Sequence, residues 1–259
     1  MKYIKMMLKP KEKTVDELNE NEIERMEYLL WSLYHNGQIQ DYWDVVKTGD
    51  NLTVFITQVD IDSLDEKYDG EYVKKNKKEL EPVFDISYKT IGTHFYAEKI
   101  CSCKNPSFYI LYTANNHFGS PVICGDCGNS IPMYKLPLRK PDKNGGGDYF
   151  FEMDWEIAWK EVESLWYAGL ADKWTERQII NPKSALAKWG REWICKDFEK
   201  VTEKKFYYFL FDANCGNKFD LQAKCPECGK NWRKQKIKEE EWSFCDDCRL
   251  STKKYWKNE

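Results

Sequence analysis

The sequence of 259 residues lacks any long apolar segment, and this absence limits the kind of protein that it encodes. No stretch approaches the roughly 18 consecutive apolar residues that a membrane-spanning helix needs. The start, MKYIKMMLKP, has neither the long apolar run nor the small-residue cleavage site of a secretory signal. We therefore expect a cytoplasmic protein that has no membrane partner.

Catalytic motifs are absent as well. There is no phosphate-cradling P-loop, no dinucleotide glycine pattern, no nucleophile elbow and no metalloprotease helix motif. The three glycines at 145–147 are not followed by a helix start, so they do not predict a phosphate site. The three histidines, each interpreted as a surface or core side chain, are His35, His94 and His117. These absences favour a non-enzymatic protein, with an enzyme that lacks a known motif as the alternative.

Positive charge is not in excess, since the net charge is −3. A nucleic-acid role would therefore depend on a local surface. The segment 60–71 contains six acids and one base but does not match a calcium loop, because Leu64 stands where a fifth-position oxygen ligand belongs. We interpret this segment as a solvated acidic face, with an acidic docking surface for a partner as the alternative.

Apolar periodicity predicts an α+β fold with three domains, and the 11 Trp, 16 Tyr and 13 Phe predict a core built from large rings. The N-terminal α/β domain is predicted at 1–83. Its expected elements are a strand at 2–8, a helix from 15 to 35 behind a capping box of Thr14 and Glu17, a hairpin of 42–46 and 52–59, and a charged helix at 63–80.

The central domain is predicted at 84–221 and combines a β-rich cysteine module with helices. Its expected strands lie at 85–91, 108–113 and 206–211, and a polar loop lies at 141–148. One helix is expected to carry Trp155, Trp159, Val162 and Trp166 on a single face, and this helix is expected to end at Gly169. A second helix is expected to start at Asn181 and Pro182, with an apolar face of Leu186, Trp189, Trp193, Ile194, Phe198 and Val201. The last domain, 222–259, contains the remaining cysteine motif.

Ten cysteines in a chain without an export signal favour metal binding over disulfides, because the cytosol keeps thiols reduced. Four of them follow the pattern C-x2-C-x16-C-x2-C: Cys225, Cys228, Cys245 and Cys248. Each C-x2-C turn presents two sulfurs to one ion, and the intervening hairpin brings the two turns together. We predict a C-terminal zinc ribbon whose ion is structural, because four thiolates leave no position for water or substrate.

A second group has the less regular pattern C-x-C-x20-C-x2-C: Cys101, Cys103, Cys124 and Cys127. Two close pairs that bracket a β-rich hairpin predict a second structural zinc ion. The alternatives are a redox pair within Cys124–Cys127, which Gly128 and Pro132 disfavour by breaking a following helix, an iron–sulfur cluster, and His117 in place of one cysteine. Cys195 and Cys215 have no partner at ligand spacing and stay outside both sites.

Several stretches carry a family resemblance: CSCKNPSFYILYT, SPVICGDCGNSIPMYKLP, NPKSALAKWGREWICKDFEKVTEKKFYYFLF, and the CPECG and CDDC turns. In these stretches, which cover residues 95–255, the chain resembles a bacterial family of unknown function that is described as zinc-ribbon-containing and as a candidate for nucleic-acid binding. The resemblance implies zinc at both groups of four cysteines. The N-terminal hundred residues show no motif of this family.

Two functions follow from these patterns. In the first, the ribbon binds single-stranded nucleic acid, because 222–259 contains ten basic and seven acidic residues with aromatic rings between them. The predicted contact residues are Lys230, Trp232, Arg233, Lys234 and Lys236, with further rings at Trp242, Phe244, Tyr255 and Trp256. In the second, the protein is an interaction module, such as an adaptor or an immunity protein that neutralises a toxic enzyme, with 60–71 facing a basic partner.

Overall fold

The structure of the protein, a computed structural model, describes residues 1–138, 148–211 and 224–253. Helices account for 34% and strands for 29%, which confirms the predicted α+β class. No helix in these three ranges is long and apolar enough to cross a membrane. The described residues divide into two compact units, drawn from 1–98, 118–120 and 132–153 and from 99–117, 121–131 and 154–259.

The first unit contains four strands and two helices in β-α-β-β-α-β order. They are β1 (Lys2–Pro10), α1 (Glu20–His35), β2 (Ile39–Thr48), β3 (Asn51–Gln58), α2 (Glu71–Leu80) and β4 (Phe84–Thr93). The strands form one antiparallel sheet in the order β2-β3-β1-β4, which is the split βαβ or ferredoxin-like arrangement. The predicted strand at 85–91 belongs to this sheet rather than to the central domain, because β4 pairs with β1.

Helix α1 begins at Glu20 rather than at the predicted residue 15. Thr14 and Glu17 do form a capping box, but it precedes only a short 3-10 turn. A second capping box starts the α-helix, in which the Glu22 N–H donates to Asn19 Oδ1 over 3.1 Å. The segment contains two adjacent capping boxes. The prediction places the helix start at the first, whereas the α-helix starts at the second.

The acidic segment 60–71 contains only a 3-10 turn before α2, so the helix predicted from 63 starts later than expected. Some of its carboxylates are used inside the unit. Asp69 is buried and pairs with Lys77 Nζ over 2.6 Å, and Asp60 pairs with Lys135 Nζ over 2.6 Å. The interpretation as a solvated acidic face is therefore wrong at these two residues, because local lysines balance their charge.

The second unit is built around six strands, with helices from the chain between them. Its elements are β5 (Phe108–Leu111), β6 (Val122–Cys124), all but the first four residues of α3 (Phe150–Tyr167), α4 (Asp172–Ile180), α5 (Ala185–Lys188), α6 (Lys196–Thr202), β7 (Lys205–Phe209), β8 (Arg233–Ile237), β9 (Glu240–Cys245) and β10 (Leu250–Lys253). The strands form a single sheet in the order β6-β5-β7-β10-β9-β8.

Strand β7 joins the two cysteine modules into this one sheet. It pairs in parallel with β5 on one side and with β10 on the other. The antiparallel pair β5–β6 carries the first module, and the antiparallel strands β8, β9 and β10 carry the second. The two modules therefore share one sheet. The predicted division into domains 1–83, 84–221 and 222–259 concerns which parts fold independently, and it stays a prediction.

Aromatic rings fill the interior of the second unit, as their even distribution along the chain predicts. The ring centroids of Phe108, Tyr207 and Phe244 lie 5.0 to 5.4 Å apart. Tyr109 stacks on Phe206 with centroids 5.0 Å apart. Strands β5, β7 and β9, which are distant in sequence, are therefore joined by ring contacts, although β9 pairs with neither β5 nor β7.

Helix α3 ends as predicted. Trp155 and Trp159 are buried, and Gly169 has a φ of +69° beyond the last turn. The next predicted helix start, at Asn181, is wrong because Ser184 caps α5: the Ala187 N–H donates to Ser184 Oγ over 3.0 Å.

The segment between α5 and α6 is a π-helix over Trp189–Cys195. A π turn contains an additional residue, so side chains emerge at other angles than in an α-helix. Trp193 is consequently 56% exposed, while Ile194 and Cys195 are buried. The predicted apolar face is wrong at Trp193 and at Val201, which is also exposed.

Candidate metal centres

Eight cysteines form two separate groups of four. Centre 1 consists of Cys101, Cys103, Cys124 and Cys127, and centre 2 consists of Cys225, Cys228, Cys245 and Cys248. Within each centre the four sulfurs all lie within 4.8 Å of one another. Across the described ranges, no other group of three or more His, Cys, Asp or Glu side chains converges this closely, so His117 belongs to neither centre. Cys195 is buried elsewhere, and Cys215 lies outside the described residues.

Two of the cysteine turns share one hydrogen-bonded geometry. In centre 1 the Gly128 N–H donates to the Cys124 carbonyl over 2.8 Å, and in centre 2 the Gly229 N–H donates to the Cys225 carbonyl over 2.9 Å. The two glycines have φ values of +65° and +70°. This left-handed conformation costs glycine little, and the chain reverses there while both sulfurs of the turn face the same point.

The third turn, from Cys245 to Cys248, ends in Arg249 instead of glycine. Arg249 has a φ of +53°, a conformation that is unfavourable for a residue with a Cβ atom. Its guanidinium is held on two sides, because Nε donates to Glu199 Oε1 over 2.7 Å and Nη1 donates to the Asp246 carbonyl. The cysteine spacing alone contains no signal for this arginine.

The remaining arm of centre 1, from Cys101 to Cys103, is not a turn of this kind. The Cys101 N–H donates to the Ser130 carbonyl over 2.8 Å, and the Cys103 N–H donates to the Cys101 sulfur over 3.4 Å. This arm is therefore held by the segment that follows Cys127. No α-helix starts directly after Cys127, which differs from the helix start expected of a redox pair.

The spacing of the sulfurs fits a four-coordinate metal ion. A tetrahedral ion with metal–sulfur bonds of about 2.3 Å places its ligand atoms about 3.8 Å apart. The sulfurs of Cys101 and Cys127 are 3.6 Å apart in centre 1, and those of Cys228 and Cys245 are 3.6 Å apart in centre 2. The described cysteines are free thiols. Each centre can therefore hold one metal ion.

Burial makes one free thiol in each centre, Cys124 and Cys245, hard to ionise. It raises the pKa of the Cys124 thiol to about 11, although the backbone N–H groups of Cys127 and Asp126 lower it. Burial also raises the pKa of the Cys245 thiol to about 11. Without a cation both thiols stay protonated at neutral pH, so a bound metal ion has to displace their protons.

Arg191, in the π-helical segment, connects the two turns of centre 2. Its Nη2 donates to Glu227 Oε2 over 2.5 Å and to the Cys248 carbonyl over 3.1 Å. Its Nη1 donates to the Pro182 carbonyl over 2.7 Å. Sequence reasoning missed this residue, because Arg191 stands between Gly190 and Glu192 in a run that also contains Lys188, and nothing in that run distinguishes it.

The aromatic residues predicted to contact nucleic acid from the ribbon are core residues. Trp232 is 8% exposed, Trp242 is 2% exposed and Phe244 is 0% exposed. A buried ring has no free face on which a base can stack, which corrects the stacking role expected of these three residues. Tyr255 and Trp256 lie outside the described residues.

Three of the four basic residues predicted as contacts already have acidic partners. The pairs are Lys230 with Asp247, Arg233 with Asp246 at 2.9 Å, and Lys234 with Glu241 at 3.4 Å. Arg233 also lies over the Phe244 ring, with its guanidinium carbon 4.9 Å from the ring centroid. The fourth, Lys236, is exposed on β8. Phosphate contact by these residues stays a prediction.

The fold and the centres together define an α+β protein with a ferredoxin-like unit and a six-stranded sheet that carries two tetracysteine centres. Residues 103–211 match a family described as "Domain of unknown function (DUF2310)". The matched region contains three cysteines of centre 1 and Arg191, and it ends before centre 2.

Two uncharacterized proteins of Haemophilus influenzae are similar to the chain. Each is 26% identical, over 178 and 177 residues, and each alignment covers 67% of this chain. The alignments span 84% of one relative and 65% of the other, which is less than two thirds of the second. A solved structure of a conserved protein from Methanosarcina mazei Go1 is 15% identical and covers 36% of this chain and 95% of that chain. Its TM-score of 0.28 is too low to show a common fold.

Proposed function

We propose that this is a non-enzymatic zinc-binding protein in which each tetracysteine centre holds one structural zinc ion. The observation that carries the proposal is the convergence of four sulfurs from two chain segments at each centre. Four sulfur ligands favour zinc, with an iron–sulfur cluster as the chemical alternative. Four protein ligands complete the coordination of zinc, so no position remains at which water or a substrate could bind.

The zinc-ribbon description suits centre 2 best. Its two turns lie before β8 and after β9, at the same end of this hairpin, and Arg191 binds to both turns. Centre 1 connects the segment before β5 to the end of β6 in the same way. A zinc ion at each centre would stabilise the short strands that adjoin it, and such binding contributes on the order of 10 kcal/mol to folding.

We further infer that the partner of the protein is nucleic acid and that the ribbon contacts phosphates rather than bases. The support is a set of exposed lysines that form no ion pair within the described residues: Lys224, Lys236 and Lys238. The ribbon rings are buried, so we assign no base recognition to them. The protein-interaction alternative has less support, because Asp60 and Asp69 of the acidic segment are paired within their own unit.

Metal analysis of protein purified under reducing conditions tests the zinc proposal. The intact chain is expected to carry two equivalents of zinc and to be colourless, because Zn²⁺ is d¹⁰ and has no redox chemistry. Replacing Cys225 and Cys228 together by serine should leave one equivalent, and replacing Cys101 and Cys103 together should also leave one.

Cys195→Ala is the matched control, because it removes a buried cysteine that belongs to neither centre. This variant should keep both equivalents. The proposal is contradicted by an intact chain with markedly less than two equivalents, or by a brown protein that contains iron and sulfide. Purification from the native host with nuclease treatment tests the partner: a stoichiometric protein that survives the nuclease contradicts the nucleic-acid assignment.

A further inference from the structure

One face of the four-stranded sheet in the first unit is not covered by its helices. Side chains alternate between the two faces of a strand, and Ile4, Met6 and Leu8 of β1 are buried with their partners Val54 and Ile56 of β3. This is the face that packs on α1 and α2. The opposite face, here called the open face, contains Tyr3, Lys5, Met7, Asp44, Val46, Phe55, Ser87 and Lys89.

Two aromatic rings lie side by side at the centre of the open face. Tyr3 is on β1 and Phe55 is on β3, and these are the two inner strands of the sheet. Their ring centroids are 6.2 Å apart and the ring planes differ by 14°. Both side chains are only half-buried. Unlike the ribbon rings, they therefore keep surface on which a planar group can stack.

Two lysines next to these rings face each other across the sheet. Lys5 lies directly opposite Lys89 on β4, and on its other side Lys5 is paired in register with Phe55. Like charges directly opposite each other destabilise a sheet. Neither lysine forms an ion pair within the described ranges, so both charges are available to an anion from outside the chain.

A cavity of about 580 Å³ adjoins Tyr3 at one end of the open face. Its lining includes Tyr42, Thr57, Phe95 and Tyr96. Phe95 is 89% exposed, which is unusual for so large an apolar ring. The volume falls in the range of about 300 to 1,000 Å³ that is typical of small-ligand pockets, so one planar base fits within it.

Gly92 lies directly opposite Tyr3 on β4, and a Cβ atom built at Gly92 would have nothing within 4 Å, so the space beside this position is open. The open face thus combines accessible rings, two lysines without ion pairs and an adjoining aromatic cavity.

We propose that the open face binds single-stranded nucleic acid. Successive bases stack on Tyr3 and Phe55, a further base enters the cavity, and Lys5 and Lys89 contact the phosphates. Aromatic residues on a four-stranded sheet are one of the common ways in which proteins hold unpaired bases. The lysine pair favours this occupant over an apolar helix or a second copy of the chain, for which two unpaired charges would be unfavourable.

This inference rests on the nucleic-acid part of the proposed function and names the surface that contacts the bases. The test uses the zinc-loaded full chain and a fluorescein-labelled single-stranded RNA of about ten nucleotides, with fluorescence anisotropy at low salt. Replacing Tyr3 and Phe55 together by leucine is expected to weaken binding about tenfold for each ring. Tyr28→Leu is the matched control, because Tyr28 is an exposed tyrosine on α1.

The lysines are tested by the salt dependence of binding. The logarithm of the binding constant falls linearly with the logarithm of the salt concentration. Lys5→Gln and Lys89→Gln should each reduce the magnitude of this slope by about 0.7, the value for one phosphate contact on a single strand. Lys75→Gln, on α2, should leave the slope unchanged. Removing one lysine of the pair also relieves repulsion, so Lys89→Gln should keep or raise the thermal midpoint while it weakens binding.

The outcomes separate this inference from the proposed function. If the ring variant keeps its thermal midpoint and zinc content yet binds like the wild type, the open face is not the base-binding surface. If Lys236→Gln with Lys238→Gln abolishes binding while the ring variant does not, the ribbon proposal stands and this inference fails. Equal affinity for duplex and single strand overturns base stacking. An intact chain that binds neither RNA nor DNA overturns both proposals.

Discussion

Gly128 and Gly229 occupy equivalent positions after the second cysteine of their turns, and both have positive φ values. Their surroundings differ. A Cβ atom at Gly128 would lie 2.7 Å from Cγ2 of Ile237, whereas nothing lies within 4 Å of a Cβ atom at Gly229. The same local turn is therefore packed against β8 in centre 1 and open to its surroundings in centre 2.

Alanine substitutions at these glycines should separate backbone strain from steric overlap. Gly229→Ala is expected to cost about 1 to 2 kcal/mol, because only the left-handed conformation is penalised. Gly128→Ala is expected to cost about 1 to 3 kcal/mol more, because Ile237 also has to move. Urea unfolding of the zinc-loaded variants measures both values, and equal losses would show that the contact with Ile237 is not limiting.

At the scale of elements, two carboxylates on α3 attach this helix to the chain that follows β5. Thr113 Oγ1 donates to Glu156 Oε1 over 3.2 Å, and the Asn115 N–H donates to Glu163 Oε2 over 2.5 Å. Glu163 is 1% exposed. Its burial raises its pKa from 4.5 to about 7, although the Asn115 N–H and the charge of Lys160 lower it. The helix is therefore anchored by a carboxyl group that titrates near neutral pH.

The raised pKa of Glu163 predicts a pH dependence of stability. The folded protein binds this proton more tightly than the unfolded chain, so the stabilisation is complete below about pH 4.5 and is lost as the pH rises through about 7. The loss amounts to about 3 kcal/mol of unfolding free energy. Glu163→Gln should remove this part of the pH dependence and be more stable than the wild type at about pH 8.

Urea unfolding at several pH values measures this effect. Glu161→Gln, an exposed change on the same helix, is the control and should follow the wild-type pH profile. If the unfolding free energies of the wild type and of Glu163→Gln change with pH in parallel, the carboxyl group is ionised without cost in the folded protein.

At the scale of the whole molecule, the two units differ in how they are stabilised. The first unit has an apolar layer between its sheet and helices that includes Met6, Leu30 and Val54, and no described cysteine belongs to it. The second unit contains both tetracysteine centres. Metal binding at these centres would therefore be coupled to the folding of the second unit alone.

Removal of zinc by a chelator should act on one unit only. Backbone amides of β5 to β10 are expected to lose protection from hydrogen exchange, because their unit loses the stabilisation, on the order of 10 kcal/mol, that zinc binding contributes. Amides of β1 and β3 should keep their protection. Mass-spectrometric hydrogen exchange measures both sets, and a uniform loss over the chain would contradict separate stabilisation.

Much of the fold was predictable because it depends on local patterns. The helical periodicity around Leu30, the C-terminal end of α3 and the strands β1 and β3 follow from side chains that are near one another in sequence. The errors occurred where two local signals competed, as at the two capping boxes before α1, or where the helix type changed, as in the π-helix at Trp189–Cys195. Apolar spacing does not distinguish these cases.

The sequence by itself determined the membership of the two sulfur groups, because a pair of cysteines two or three residues apart is brought together by its own turn. Only the tertiary structure decided which rings are accessible. Trp232 is buried and Tyr3 is half-buried, although both stand between basic residues in the sequence, and Phe55 is half-buried although its sequence neighbours are uncharged. Exposure depends on which strands pair and which face the helices cover, and both are set by contacts between residues that are distant along the chain.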